Sequence, residues 1–273
     1  AFHPQGRPQW SGREDITGKT LFIEAEQGLG DMIQFCRYAS LCADLGARVI
    51  LTAPKSQIRL LQGFDPRIVL RPRDAWPVDF EFYIPLLSLP MAFDAGEKGF
   101  AARTSYLKAE PERLEKWRRQ IGTDRLTIGI CWQGGPGNLA RSFPLAALAE
   151  IASRPRVRLI SLQKGAGCEQ LDGSFSVETL GETYDAGPDA FLDAAAVMET
   201  VDLVISCDTS LAHLAGALGR PVWVALKFAP DWRYLTGRDD SPWYPTMRLF
   251  RQDRPGDWQS VFSKMTAALD RMA

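Results

Sequence analysis

The sequence predicts an α/β protein made of two consecutive units, each a parallel sheet covered by helices on both faces. Three observations carry this. Short apolar runs alternate with stretches of helical periodicity along most of the 273 residues. A glycine-rich turn follows the first apolar run and opens a helix. The alternation then breaks at residues 122–125, Gly122-Thr123-Asp124-Arg125, and starts afresh.

Residues 1–18 are rich in glycine, proline and polar groups and read as a linker. Residues 20–25 are a short apolar run and predict a buried strand, followed by the turn at residues 26–31. Apolar residues at helical spacing predict a helix over 32–45, ended by Gly46. A second strand at 47–52 completes a βαβ unit, right-handed by the general rule for parallel crossovers. A helix at 56–62, strands at 68–70 and 80–84, and a charged helix at 111–121 finish the first series. In the second series, strands fall at 126–132, 157–162, 203–207 and 222–226, and helices at 144–153, 190–199 and 211–218. Residues 257–272 carry Val261, Phe262, Met265, Ala268, Leu269 and Met272 at amphipathic helical spacing. The expected domains are therefore 19–122 and 123–256, with the helix of 257–273 packing back on the first domain. Ligands of such sheets bind outside the carboxyl ends of the strands, here in the cleft between the units.

Composition narrows the functional classes. Lys and Arg number 32 against 33 Asp and Glu, for a net charge of −1, with no basic stripe. That balance argues against nucleic acid as a partner. Hydrophobic residues make up 45% and charged residues 24%, the mix of an ordinary globular chain. No apolar stretch reaches the roughly 18 residues of a membrane span. The five cysteines form no CxxC pair, and three sit inside apolar runs, so they read as free thiols in a reducing compartment such as the cytoplasm. The two histidines, His3 and His213, have no metal-ligand partner at helical spacing, and no metal is expected.

Four loops at strand ends can carry chemistry. The turn Gln27-Gly28-Leu29-Gly30-Asp31 places glycines where a backbone can approach a ligand and puts a carboxylate at the mouth of the cleft. It lacks the third glycine of a dinucleotide fingerprint and the lysine of a P-loop. Asp31 can act as a general base on an acceptor hydroxyl, or it can merely cap its own helix. After the strand at 203–207, Asp208, Thr209 and Ser210 open a helix of small residues that includes His213. Hydroxyls and free N–H groups there suit a diphosphate. The bland alternative is a helix capped by Asp208 over a buried His213. Gln133 lies in a glycine-rich loop that precedes Arg141, and Gln163 and Lys164 leave the strand at 157–162. Arg141 and Lys164 can pair with phosphates, although each alone reads equally as a solvated surface charge.

These strings taken together, AEQGLGD, ISCDTSLAHLAGALGRPVW, and APDWRY followed by DDSPWYPTMRLFRQ, resemble glycosyltransferase family 9, the heptosyltransferase-like proteins. The resemblance covers nearly the whole chain from Lys19 and is strongest to the branch found as the C-terminal part of tetratricopeptide-repeat proteins. It implies a GT-B fold of two Rossmann-like domains with an interdomain cleft. It also implies an inverting, metal-independent transfer from a nucleotide sugar to an acceptor hydroxyl, with no cofactor beyond that co-substrate. The family's base matches Asp31, its basic residue ahead of a helix start matches Arg141, and its Asp-Thr-Gly-x-x-His diphosphate motif matches Asp208, Thr209, Ser210 and His213, with serine in place of glycine. Several repeat-linked relatives modify protein hydroxyls, flagellins among them, so a protein acceptor is implied. No period of about 34 residues recurs in this chain, and the linker-like start leads us to expect a repeat region upstream in the full-length protein. Two other functions fit the same fold: a silent nucleotide- or glycan-binding module, and a nucleotide-sugar epimerase or hydrolase.

Overall fold

In the computed structural model, the described residues are 6–75, 77, 79–94, 105–122 and 125–272. Of the residues read above, His3, Thr123 and Asp124 lie outside them. The chain forms two separate parallel sheets, one of four strands and one of five.

The first unit contains β1 (Thr20–Glu24), α1 (Leu29–Phe35), α2 (Arg37–Asp44), β2 (Arg48–Ala53), α3 (Ile58–Leu61), β3 (Ile68–Pro72), β4 (Phe82–Pro85) and α4 (Leu89–Ala92). Its strand order is β3-β2-β1-β4, parallel throughout. The central residues of β1 are buried on both faces, which is why an unbroken apolar run rather than an alternating one marks the strand. The helix expected over 32–45 begins earlier, at Leu29, and is divided at Cys36 into α1 and α2.

The second unit contains α5 (Pro111–Ile121), β5 (Leu126–Cys131), α6 (Ala149–Ala152), β6 (Val157–Ser161), α7 (Leu192–Thr200), β7 (Leu203–Cys207), α8 (Ser210–Ala217), β8 (Val222–Leu226), β9 (Met247–Arg251) and α9 (Trp258–Asp270). Strand order is β6-β5-β7-β8-β9. The order reverses between β5 and β7, which opens a crevice at their carboxyl ends. β9 was not expected as a strand. Its MRLFR sequence mixes apolar and basic residues without strict alternation, and it pairs in parallel with β8 from Val222↔Met247 to Leu226↔Arg251.

Two expectations about the domains are corrected. First, α9 does not pack back on the first domain. Val261, Phe262, Met265, Ala268 and Leu269 join Ile128, Ile130, Phe143, Leu148 and Ile151 in the core of the second domain. The Phe262 ring meets Phe143 at 4.7 Å between centroids. An apolar stripe requires a partner, and the nearer sheet supplies it. Second, α5 was placed in the first domain, yet it packs on α7. Trp117 is buried there, its Nε1 donates to Asp193 Oδ1 at 2.8 Å, and Arg113 Nη1 donates to the same oxygen at 2.8 Å. Three consecutive alanines, Ala194, Ala195 and Ala196, leave α7 thin enough for this approach. Gly122, at φ 70°, ends α5 in a conformation that favours glycine, and its N–H bonds Arg118 O.

Beside the cluster around α9, a larger apolar core joins the two units. The larger apolar cluster runs from Ile23 and Phe35 in the first unit to Val197, Leu214 and Tyr244 in the second. Arg37 of α2 bridges them. It donates to Trp243 O at 2.7 Å and to Tyr106 Oη at 2.8 Å, and its guanidinium lies 4.6 Å from both the Tyr106 and Tyr244 rings. Among the described residues no helix is long and apolar enough to cross a membrane.

Candidate active site

The site is built where α1 and α8 cross. A Cβ on Gly30 would lie 3.3 Å from Ser210 Cα and 3.1 Å from His213 Cδ2. The glycine that reads in sequence as a place for ligand approach is therefore spent on helix crossing. It brings the first turn of α1 against the first turn of α8, and so sets Asp31 beside the opening of α8.

Asp31 occupies the third position of α1. Its Oδ2 accepts from Gly28 N at 2.9 Å, so the capping role is real. Its Oδ1 accepts from Arg233 Nη2 at 2.9 Å, so capping is not its whole role. Arg233 is a hub between the units. Its Nε bonds Asp231 Oδ1 at 2.8 Å, its Nη1 bonds Gln34 Oε1 at 3.2 Å, and the same nitrogen lies 3.5 Å from His213 Nε2. Only 12% of the Arg233 side chain and 19% of the Asp31 side chain are exposed, so this pair is far better shielded than an ordinary surface salt bridge. Arg233 was not singled out from the sequence. Its APDWRY string contributed to the resemblance, but nothing local in it specifies a partner 202 residues away.

His213 is buried, 3% exposed. Burial, then Arg233, Arg37 and Arg141, hold its ring well below the usual histidine range, so it is neutral. A neutral ring that accepts from Arg233 at Nε2 carries its proton on Nδ1, which then donates to Tyr244 Oη at 3.2 Å. Asp208 does not cap α8. It accepts from Tyr234 Oη at 2.8 Å, and burial pushes its carboxyl up against the pull of that bond and of Arg141 and Arg233.

Thr209 is the N-cap of α8 and makes no side-chain cap bond; its hydroxyl faces Ser206 Oγ at 3.1 Å. The first N–H groups of α8 are thus left without a side-chain acceptor where Thr209, Ser210 and Leu211 line a cavity of about 420 Å³. The volume falls within the roughly 300–1,000 Å³ typical of small-molecule sites, and a helix N-terminus favours an anion. The cavity lies beyond the ends of β5, β6 and β7, at the reversal of strand order. Gln133, Gly134, Gln163 and Lys164 form one wall, Asp185 to Phe191 supply another, and Ser56 closes it from the first unit.

The remaining expected residues divide between ligand-facing and supporting positions. Gln163 is a clasp: its Oε1 accepts from the N–H groups of Trp132 and Gln133, and its Nε2 donates to Gln133 O and Ala166 O. Gln133 Oε1 accepts from Gln170 Nε2 at 3.0 Å. Lys164 reaches the cavity while its Nζ donates to Asp185 O. Arg141 lies against the cavity wall: a Cβ on Gly134 would meet its Nε at 2.7 Å, and that buried Nε has no hydrogen-bond partner. Gln27 is exposed and takes part through its backbone oxygen, which accepts from Arg73 Nη2 at 2.8 Å. Glu26, the other carboxylate near the turn, accepts from Leu87 N at 3.2 Å. Among the described residues there is no group of three or more His, Cys, Asp and Glu arranged to hold a metal ion.

Comparison with known proteins fits this geometry. Residues 166–252 match the family model described as Glycosyltransferase family 9 (heptosyltransferase). The matched segment includes the opening of α8 and Arg233 but not Asp31. A curated relative, Protein FlbA of Caulobacter vibrioides, is 28% identical over 295 residues, covering 96% of this chain and 48% of that protein. The chain thus spans about half the length of that relative. A glycosyl transferase family 9 structure from Veillonella parvula superposes with a TM-score of 0.67 at 11% identity, covering 96% of this chain and 99% of that one. The ADP-heptose lps heptosyltransferase II of E. coli does so with a TM-score of 0.61 at 16% identity, covering 93% and 100%. The architecture is the two-domain GT-B fold of these proteins.

Proposed function

We propose that this chain, which carries a glycosyltransferase family 9 segment, transfers a sugar from a nucleotide-activated donor to an acceptor hydroxyl. One observation supports the reading above the rest: Gly30 lets α1 meet α8 so closely that Asp31, which does not itself line the cavity, stands next to the helix end whose Thr209, Ser210 and Leu211 do.

In this reading the donor diphosphate lies against the N–H groups at Ser210 and Leu211, with Lys164 and Arg141 as nearby cations. Asp31 accepts the proton of the acceptor hydroxyl. The acceptor oxygen forms a bond to the anomeric carbon while that carbon's bond to the phosphate oxygen breaks, and the nucleoside diphosphate carries away the electron pair. A single displacement of this kind inverts the anomeric configuration, and the dipole of α8 stabilises the leaving charge without a metal ion. Arg233 fixes the carboxylate rotamer, and with an acceptor hydroxyl positioned, proximity supplies much of the rate. The acceptor is proposed to be a hydroxyl on a protein such as flagellin, following the resemblance to repeat-linked members of the family.

The test is a panel of nucleotide sugars, with thermal shift to find the donor and a radiolabelled donor to follow transfer. Stabilisation by one nucleotide sugar together with label transfer supports the reading. Stabilisation without transfer to any hydroxyl acceptor would instead favour a binding module of the same fold.

A further inference from the structure

A second cavity lies away from the interdomain cleft, and its walls are strongly basic. It has a volume of about 420 Å³ and lies between β9, α9 and the segment at 238–239. Arg238, Arg248, Arg251, Lys264 and Arg271 line it, against the two carboxylates Asp239 and Asp253. Nothing in the proposed transfer uses any of these residues.

The acids do not neutralise the cations evenly. Lys264 Nζ pairs with Asp253 at 2.6 Å, and Arg248 reaches Asp239 only at 3.7 Å while its guanidinium lies 4.9 Å from the Phe250 ring. Arg238 is held by Asp240 through two bonds of 2.8 and 2.6 Å. Arg251 has no carboxylate. Its Nη2 donates to Tyr234 O at 2.6 Å and its Nε to Arg238 O at 3.4 Å, both neutral carbonyls, and its buried Nη1 has no hydrogen-bond partner. Burial pulls this guanidinium below the usual arginine range; Tyr234 opposes that pull, and no carboxylate does. Arg271 on the rim has no ion pair among the described residues. A half-buried arginine with no counter-charge is costly, and an anion held nearby offsets that cost.

We propose that this cavity is a second anion site, built for a phosphate-bearing ligand and separate from the donor cleft. Arginine forks match phosphate oxygens in geometry as well as in charge. Arg248 and Arg271 supply the contacts at the mouth, and the charge of Arg251, which no carboxylate offsets, lies behind them. The site also touches the machinery of the cleft, since Arg251 holds the backbone of Tyr234, whose hydroxyl bonds Asp208.

The same chemistry can arrive on a soluble phosphate or on a lipid headgroup, and two measurements separate the sources. Calorimetry with pyrophosphate at low and moderate salt reads the first, and co-sedimentation with phosphatidate vesicles reads the second. The comparison is between the chain and its R248E/R271E variant, whose exposed and half-exposed substitutions leave Arg251 and its bond to Tyr234 in place. Pyrophosphate also suits the donor cleft, so two sites are expected for the chain and one for the variant, with nucleotide affinity unchanged. If the source is a lipid, vesicle binding falls at least tenfold in the variant while pyrophosphate shows one site in both proteins. The inference is overturned if the variant binds pyrophosphate and vesicles as the chain does, or if the chain shows one pyrophosphate site and no vesicle binding. An R251Q variant that keeps its thermal unfolding midpoint and both pyrophosphate sites overturns it equally.

Discussion

Asp31 and Arg233 meet at 2.9 Å across the two domains, and through this pair the first turn of α1 is tied to the loop that follows β8. The contact joins a candidate base to a residue that also reaches Gln34 and His213. It makes the chemistry of Asp31 depend on how the domains meet.

Replacing Asp31 with asparagine is expected to leave the fold and the donor affinity intact, because the amide oxygen can still accept from Gly28 N or Arg233. Transfer should fall roughly 10²-fold or more, the usual range for a lost general base. Turnover of labelled donor, with donor affinity measured in parallel, checks this. Near-normal turnover would move the role to Glu26 or to the acceptor itself.

For Arg233, a split between substitutions is expected. R233K keeps one charged donor and should retain part of the activity. R233Q should lose about tenfold or more in kcat with little change in donor KM, because it releases the Asp31 rotamer without touching the lining of the donor cavity. Equal loss in the two variants would argue that the fork geometry, not the charge, is what matters.

The opening of α8 offers a steric test. Ser210 lines the cavity at the first position of the helix. S210W should weaken nucleotide binding by about tenfold or more while the unfolding midpoint stays near that of the parent, as read by titration calorimetry and thermal melting. Unchanged affinity would remove the diphosphate from this helix end.

Two glycines should respond differently to alanine. In G216A the new Cβ would fall 2.5 Å from the Tyr244 ring, and a net loss of about 1–3 kcal/mol is expected in denaturant unfolding. In G30A the approach is 3.1 Å at the closest, and the gain in helix propensity of up to about 1 kcal/mol offsets much of the strain. Its stability should therefore change little. Its turnover should fall, because α1 must shift from α8 to make room.

His213 makes stability depend on pH. Its folded form is depressed by burial, so below about pH 6.5 the unfolded chain binds a proton that the folded chain refuses. Stability from this group is present above that pH and is lost as pH falls, by up to about 1.4 kcal/mol per unit. Asp208 and Asp185, both raised by burial, act with the opposite sign at lower pH. Melting curves of the parent and H213Q between pH 7.5 and 5.5 isolate the histidine. The variant should show the shallower decline, and parallel curves would refute the assignment.

Much of the molecule was legible in the linear sequence, for a local reason. Apolar periodicity and end signals are properties of neighbouring residues, so α5 at Pro111–Ile121, β7 at Leu203–Cys207 and β8 at Val222–Leu226 could be read with their boundaries. The glycine-rich turn before Asp31 and the small-residue opening of α8 were visible for the same reason. β9 was not, because a five-residue run that mixes two arginines with three apolar residues, Leu249 and Phe250 adjacent, breaks strict alternation and has no signal apart from its place beside β8.

What the tertiary structure alone decided is partnership. An apolar stripe states that α9 is buried but not against what, and packing placed it on the second sheet rather than the first. A glycine states that something comes close, and only the fold shows that at Gly30 the neighbour is Ser210 rather than a ligand. A carboxylate at a helix start states that it can cap. Its pairing with Arg233 required the two domains to close, because residues 202 positions apart meet through chain geometry and not through any pattern in the sequence between them.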